Sequence, residues 1–290
     1  MDLLDYSFNQ RALLTAIIIG FFSGSVGSFV VLRRAALFAG ELSHTLFPGI
    51  VVASLIAGIV SPGVALIGAF LSSLFIASVS QSVSLNPRMD RNTSLAVFYT
   101  AFFGLGLLLL DYLPTYISLR DYLFGNILAV SSQDLWFAYG IAFVIISLLI
   151  LFQRPIFISI ASPEIAKSMG INILIIELCL TAATVGALVS SVQTIGTILS
   201  LGLLVGPAAC LHLFLESPRQ IFWCSGFLGA SIAILSLILS NIWNMQTASL
   251  TVLLIGCIFI MSLLFSPKYG FIQHYWSQCK KVLTQKGFND

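Results

Sequence analysis

The sequence predicts an all-α, polytopic transmembrane helical bundle of about nine spans, and three observations carry that expectation. The first is composition. Of 290 residues, 58% are hydrophobic and only 8% charged, against roughly 25% charged in ordinary globular domains, so lipid must be part of the solvent. The second is a series of apolar stretches, each close to the ~17–25 residues that cross about 30 Å of hydrocarbon. The third is a one-sided distribution of basic residues between those stretches.

In chain order the stretches are residues 12–32, 35–60, 63–80, 94–110, 135–152, 171–189, 195–215, 221–242 and 248–265. The second is long and contains Pro48-Gly49. It is expected to be a broken helix, or an interfacial segment followed by a shorter span, which would leave eight spans. Arg33 and Arg34 follow the first stretch, Arg88 and Arg91 the third, Arg154 and Lys167 the fifth, and Arg219 the seventh. Lys268, Lys280, Lys281 and Lys286 follow the ninth. With nine spans, eleven of the 13 basic residues therefore share one side, leaving Arg11 and Arg120 opposite. Cytoplasmic loops carry that excess, so the N-terminus is expected outside and the C-terminus in the cytoplasm.

The chain reads as one membrane domain, 1–266, with a short basic cytoplasmic tail, 267–290. Tyr269, Phe271, Tyr275 and Trp276 in that tail suit an anchor on anionic lipid, and a solvated tail fits equally. Residues 1–11 are polar and acidic and the first apolar run is long, so no secretory leader is expected. The net charge of +2 gives no reason to invoke nucleic acid. Four of the 5 cysteines (Cys179, Cys210, Cys224, Cys257) lie in apolar runs and Cys279 in the tail, which reads as reduced thiols rather than a disulfide or zinc framework. Gly20, Gly24 and Gly27 in the first span read as a close helix-packing face.

Charged residues at membrane depth cost several kcal/mol and mark pathways or paired structural sites. Glu41 and Glu177 are the acids within spans, and His44 lies i+3 from Glu41 on the same helix face. A carboxylate and an imidazole facing a cavity would suit a divalent transition metal in transit, with carbonyls freed at Pro48-Gly49. Alternatively residues 35–43 form an interfacial helix, with Glu41 solvated and His44 packed. Glu177 reads as an interfacial carboxylate near the cytoplasmic boundary, and His212, after Pro207, as a capping or packing histidine. His274 receives no role.

Ser162-Pro163-Glu164-Ile165-Ala166-Lys167-Ser168-Met169-Gly170 reads as a short cytoplasmic helix. Ser162 suits the N-cap, Pro163 the first helical position, Glu164 the first turn and Gly170 the stop. Such a helix could dock a soluble partner, or be an ordinary loop helix. The chain has no G-x-x-x-x-G-K-[ST] phosphate loop, so ATP-driven work would need a nucleotide-binding partner.

Four stretches then carry a family resemblance: Gly27 to Arg34 with Leu42-Ser43-His44 and Pro48-Gly49; Asp121-Tyr122-Leu123-Phe124-Gly125-Asn126 through Ser131; Ser162 through Gly170; and Gly196-Thr197 through Gly206-Pro207-Ala208-Ala209. In that order and spacing they resemble the permease subunits of bacterial manganese-, zinc- and iron-uptake ABC transporters, from about residue 12 to 266. The resemblance implies an importer in the bacterial cytoplasmic (inner) membrane. It implies a permease pair, identical or not, with two cytoplasmic ABC ATPase subunits that alone bind ATP, and an extracytoplasmic metal-binding protein. No cofactor is bound permanently; the metal ion is cargo. Ser162, Pro163, Glu164, Lys167 and Gly170 match the ATPase-coupling segment, and Asp121, Tyr122 and Asn126 fall on the side where the delivery protein would dock. The family usually has Asp four residues before this His, where Gly40 stands here with Glu41 next to it. The Pro-rich approach to the last span is replaced by Gln246-Thr247-Ala248-Ser249.

The expected function is inward transport of Mn²⁺, Zn²⁺ or Fe²⁺ by alternating access, past His44 and Glu41. A neutral imidazole ligand implies weaker transport as pH falls through the histidine range. Two alternatives are a stand-alone proton-coupled cation transporter using Glu41 and Glu177, and an ABC permease for a chelated metal. No His-Glu-x-x-His or Gly-x-Ser-x-His pattern supports an intramembrane enzyme.

Overall fold

The computed structural model describes residues 7–59, 61–84, 88–113 and 132–266. All regular structure among them is helical: α1 (Ser7–Leu32), α2 (Ala36–Ala57), α3 (Pro62–Val83), α4 (Arg91–Leu110), α5 (Ser132–Leu151), α6 (Gln153–Ala161), α7 (Pro163–Ser168), α8 (Ile173–Ile195), α9 (Thr197–His212), α10 (Pro218–Trp243) and α11 (Thr247–Phe265). Seven of these are long and apolar enough to cross a membrane. The count rises to eight if the α5–α6 pair, bent by 67°, is one broken span rather than a re-entrant loop. The sequence count of nine also needs α9, whose 16 residues reach only about 24 Å at 1.5 Å per residue. The basic tail lies outside the described residues.

α1 is the buried axis of the bundle. Phe22 and Phe29 are fully or almost fully enclosed, and the Phe29 ring lies 5.5 Å from Phe157 and 5.4 Å from Phe222. The expected glycine face is real: a Cβ on Gly20 would stand 2.7 Å from the Gly229 carbonyl oxygen. One on Gly24 would overlap the Ser225 carbonyl, and one on Gly27 that of Leu204. Backbone therefore meets backbone along α1–α10 and α1–α9, which only glycine permits.

α1 stops where the chain turns left-handed at Arg34 (φ 55°). The Ala35 N–H returns to the Val30 carbonyl (2.9 Å) and the Arg34 N–H to that of Val31 (2.9 Å), a Schellman closure with arginine in the place glycine usually takes. α2 begins at once and runs unbroken from Ala36 to Ala57 through Pro48. The break expected at Pro48-Gly49 is absent, and so is a separate interfacial segment at 35–43. Proline removes one ladder bond, here the one to the His44 carbonyl, but its neighbours hold the helix in line. Ser72 Oγ donates to the Thr45 carbonyl (3.1 Å) and the Thr45 and Ser73 hydroxyls pair at 2.6 Å. Pro48 is lodged against Gly106 of α4, where a Cβ would come within 2.6 Å of its ring, and Gly49 abuts Gly68 of α3.

Candidate functional site

α2 presents Glu41 and His44 one turn apart toward α4. His44 is exposed in the single chain and Glu41 half-buried. The imidazole stacks on Tyr99 (5.9 Å between centroids, 27°) and meets Phe103 edge-on (6.3 Å, 79°). Phe103 also leans on Phe47, 5.7 Å away. Tyr99, Phe103 and Gly106 fall at i, i+4 and i+7, so one face of α4 serves all three contacts with α2. One carboxylate oxygen of Glu41, Oε2, is buried and has no hydrogen-bond partner. Asp90 is the N-cap of α4, its side chain accepting from the Asn92 N–H.

Glu41, with a carboxylate oxygen buried and unpartnered, and His44, whose side chain is exposed, lie one helical turn apart on α2. Among the described residues no three His, Cys, Asp or Glu side chains cluster to hold a metal. Pro48 also leaves the His44 carbonyl without its helical N–H.

Glu177 is engaged elsewhere. Its Oε2 accepts from Gln81 Nε2 (2.8 Å) and its Oε1 lies 3.4 Å from the Arg33 guanidinium. This cross-tie joins α8, α3 and the end of α1, and gives Glu177 a structural partner set that Glu41 lacks. His212 is exposed in the last turn of α9.

The short helix foreseen after the fifth apolar run is α7. Pro163 opens it, Glu164 lies in its first turn and Lys167 in its last. Gly170 (φ 77°) ends it, its N–H on the Lys167 carbonyl and that of Ile171 on the Ala166 carbonyl, each at 3.0 Å. The expected Ser162 side-chain cap does not form. Ser162 has an extended backbone (φ −153°, ψ 96°) and also closes α6 through its N–H on the Ile158 carbonyl (2.9 Å). Ala166 is fully buried, while Ile165 and Met169 are 56% and 62% exposed beside Glu164 and Lys167. The loop with Asp121, Tyr122 and Asn126 lies outside the described residues.

Sequence reasoning missed Tyr99 and Phe103. Their i, i+4 spacing is visible, but nothing in the sequence says which face of α4 meets α2. It also missed the Arg33–Glu177–Gln81 tie, whose members lie far apart in the chain.

Residues 5–266 match the ABC 3 transport family. The chain is similar to the manganese transport system membrane protein MntC of Listeria monocytogenes, 33% identical over 270 residues that cover 93% of this chain and 95% of that one. It is also similar to the manganese import system permease protein ScaB of Streptococcus parasanguinis, 32% identical with 92% and 93% of the two chains covered. Among solved structures, PsaBC from Streptococcus pneumoniae in complex with Fab superimposes with a TM-score of 0.83 at 29% identity, over 94% of this chain and 97% of that one.

Proposed function

The chain belongs to the ABC 3 transport family, and on that premise we propose that it is the membrane-spanning permease subunit of an ATP-binding-cassette importer for a divalent transition metal ion. The observation that carries the cargo reading is at α2: an exposed histidine one helical turn from a glutamate with a carboxylate oxygen buried without a partner. At membrane depth neither group is tolerated against lipid. Both suit Mn²⁺, Zn²⁺ or Fe²⁺, and the manganese systems for which MntC and ScaB are named favour Mn²⁺.

In this reading His44 and Glu41 line the pathway, and a second permease covers their face and supplies the remaining donors. All nine apolar runs span the bacterial cytoplasmic membrane as one domain, 1–266, with the N-terminus outside and the basic tail inside. The α7 helix and Gly170 seat on one of two cytoplasmic ATPase subunits, Ile165 and Met169 giving an apolar ridge between Glu164 and Lys167. The loop with Asp121, Tyr122 and Asn126 faces an extracytoplasmic metal-binding protein. The permease binds no nucleotide itself; closure of the ATPases on ATP drives alternating access, and the ion passes inward.

Proteoliposomes decide between this and a stand-alone carrier. Mn²⁺ uptake is expected only with partner ATPase, delivery protein and ATP all present. Uptake by the purified chain alone, driven by a proton gradient, would contradict the reading.

A further inference from the structure

We propose that Tyr99 and Phe103 are positioning residues for metal transfer: they bracket the His44 imidazole and fix the plane in which its ring nitrogen meets the ion. The inference rests on His44 being a pathway ligand and concerns what holds that ligand in place.

A histidine that binds metal is normally oriented by a hydrogen bond from its second ring nitrogen to a carboxylate, carbonyl or water. Among the described residues no hydrogen bond reaches the His44 imidazole, and its ring contacts are Tyr99 and Phe103. Burial does not hold it either, since the residue is exposed. Stacking on one ring and edge contact with a second, at interplanar angles of 27° and 79°, restrict rotation of the imidazole about its side-chain bonds. They do so without competing for its nitrogens.

The bracket is itself held in register. Gly106 on the same face of α4 receives Pro48 at backbone distance, and Phe103 leans on Phe47, which is fully buried. α4 therefore cannot slide along α2 without opening both contacts. Tyr99 and Phe103 are themselves half-buried. A loose imidazole would lose freedom on binding each ion; a bracketed one has lost it already.

The test uses the detergent-purified permease–ATPase complex without delivery protein, with free Mn²⁺ read by electron paramagnetic resonance. Tyr99→Phe keeps the stack and is expected to bind Mn²⁺ like the parent. Tyr99→Leu and Phe103→Leu are each expected to raise the apparent Kd by about threefold to tenfold, the range an aromatic pair is worth. Their melting midpoints should remain close to the parent's, and the double variant should bind more weakly still. Unchanged Kd in both leucine variants, with His44→Ala impaired, overturns the bracket and leaves the pathway reading standing. Unchanged Kd in His44→Ala removes the ligand, and the bracket with it.

Discussion

The α1–α10 and α1–α9 contacts give a graded prediction. A Cβ at Gly20 would lie 2.7 Å from the Gly229 oxygen. Ordinary contact begins near 3.4 Å, so the helices must part by roughly 0.7 Å, at a cost of about 1 kcal/mol or more. At Gly24 the overlap with the Ser225 carbonyl is deeper, and at Gly27 the overlap with the Leu204 carbonyl is deepest. Because the opposing atoms are backbone, no side chain can swing aside. Alanine there should cost about 2–3 kcal/mol, at the upper end of overpacking. Gly256 is the control: it is exposed on α11 and a Cβ there meets nothing within 4 Å. Alanine at 256 should be neutral or gain up to ~1 kcal/mol in helix propensity. The assay is the melting midpoint of the purified protein by fluorescence-detected gel filtration, where each kcal/mol moves the midpoint about 2–4 °C. The order 256, 20, 24, 27 from most to least stable is expected. A Gly27→Ala protein as stable as the parent would refute the backbone-contact reasoning.

Three further outcomes follow from the described contacts. In a double-mutant cycle, Arg33→Leu and Glu177→Gln should couple by ~0.5–1.5 kcal/mol in melting experiments; purely additive losses would mean that the tie does not stabilise the fold. Pro48→Ala restores an N–H for the His44 carbonyl, and should raise thermal stability by about 1–2 kcal/mol while slowing Mn²⁺ uptake; a destabilised variant would show that the Pro48–Gly106 contact matters more. Glu164→Ala or Gly170→Ala, the latter straining a left-handed position by about 1 kcal/mol, should leave membrane insertion intact and separate ATP hydrolysis from transport. Unchanged coupling in both would count against α7 as the docking helix.

Most of the architecture is legible in one dimension because lipid imposes one strong rule: backbone polar groups pair within helices, so apolar run length reads out helix length. The runs near 12–32, 63–80, 94–110 and 221–242 all became helices. Gly20, Gly24 and Gly27 announced a packing face because nothing else puts three glycines on one side of a buried helix. Pro48 misled, because its local cost is visible in sequence whereas the Ser72, Ser73 and Gly106 contacts that offset it come from other helices. The bend between α5 and α6 and the shortness of α9 were also hidden, since hydropathy does not resolve direction. At the candidate site, the i, i+3 pair Glu41–His44 was readable. What holds the imidazole was not, because interhelical register is a property of packing.

The most direct test of the central claim is cellular metal content by mass spectrometry in metal-poor medium. Four strains of the source organism would be compared: native, deletion, His44→Ala and Glu41→Ala, each expressing variant checked for membrane protein. The account predicts a selective fall in one transition metal, manganese first, in the deletion, reproduced by His44→Ala and in part by Glu41→Ala. An unchanged metal profile in the deletion, in a strain lacking other importers for that metal, would contradict it.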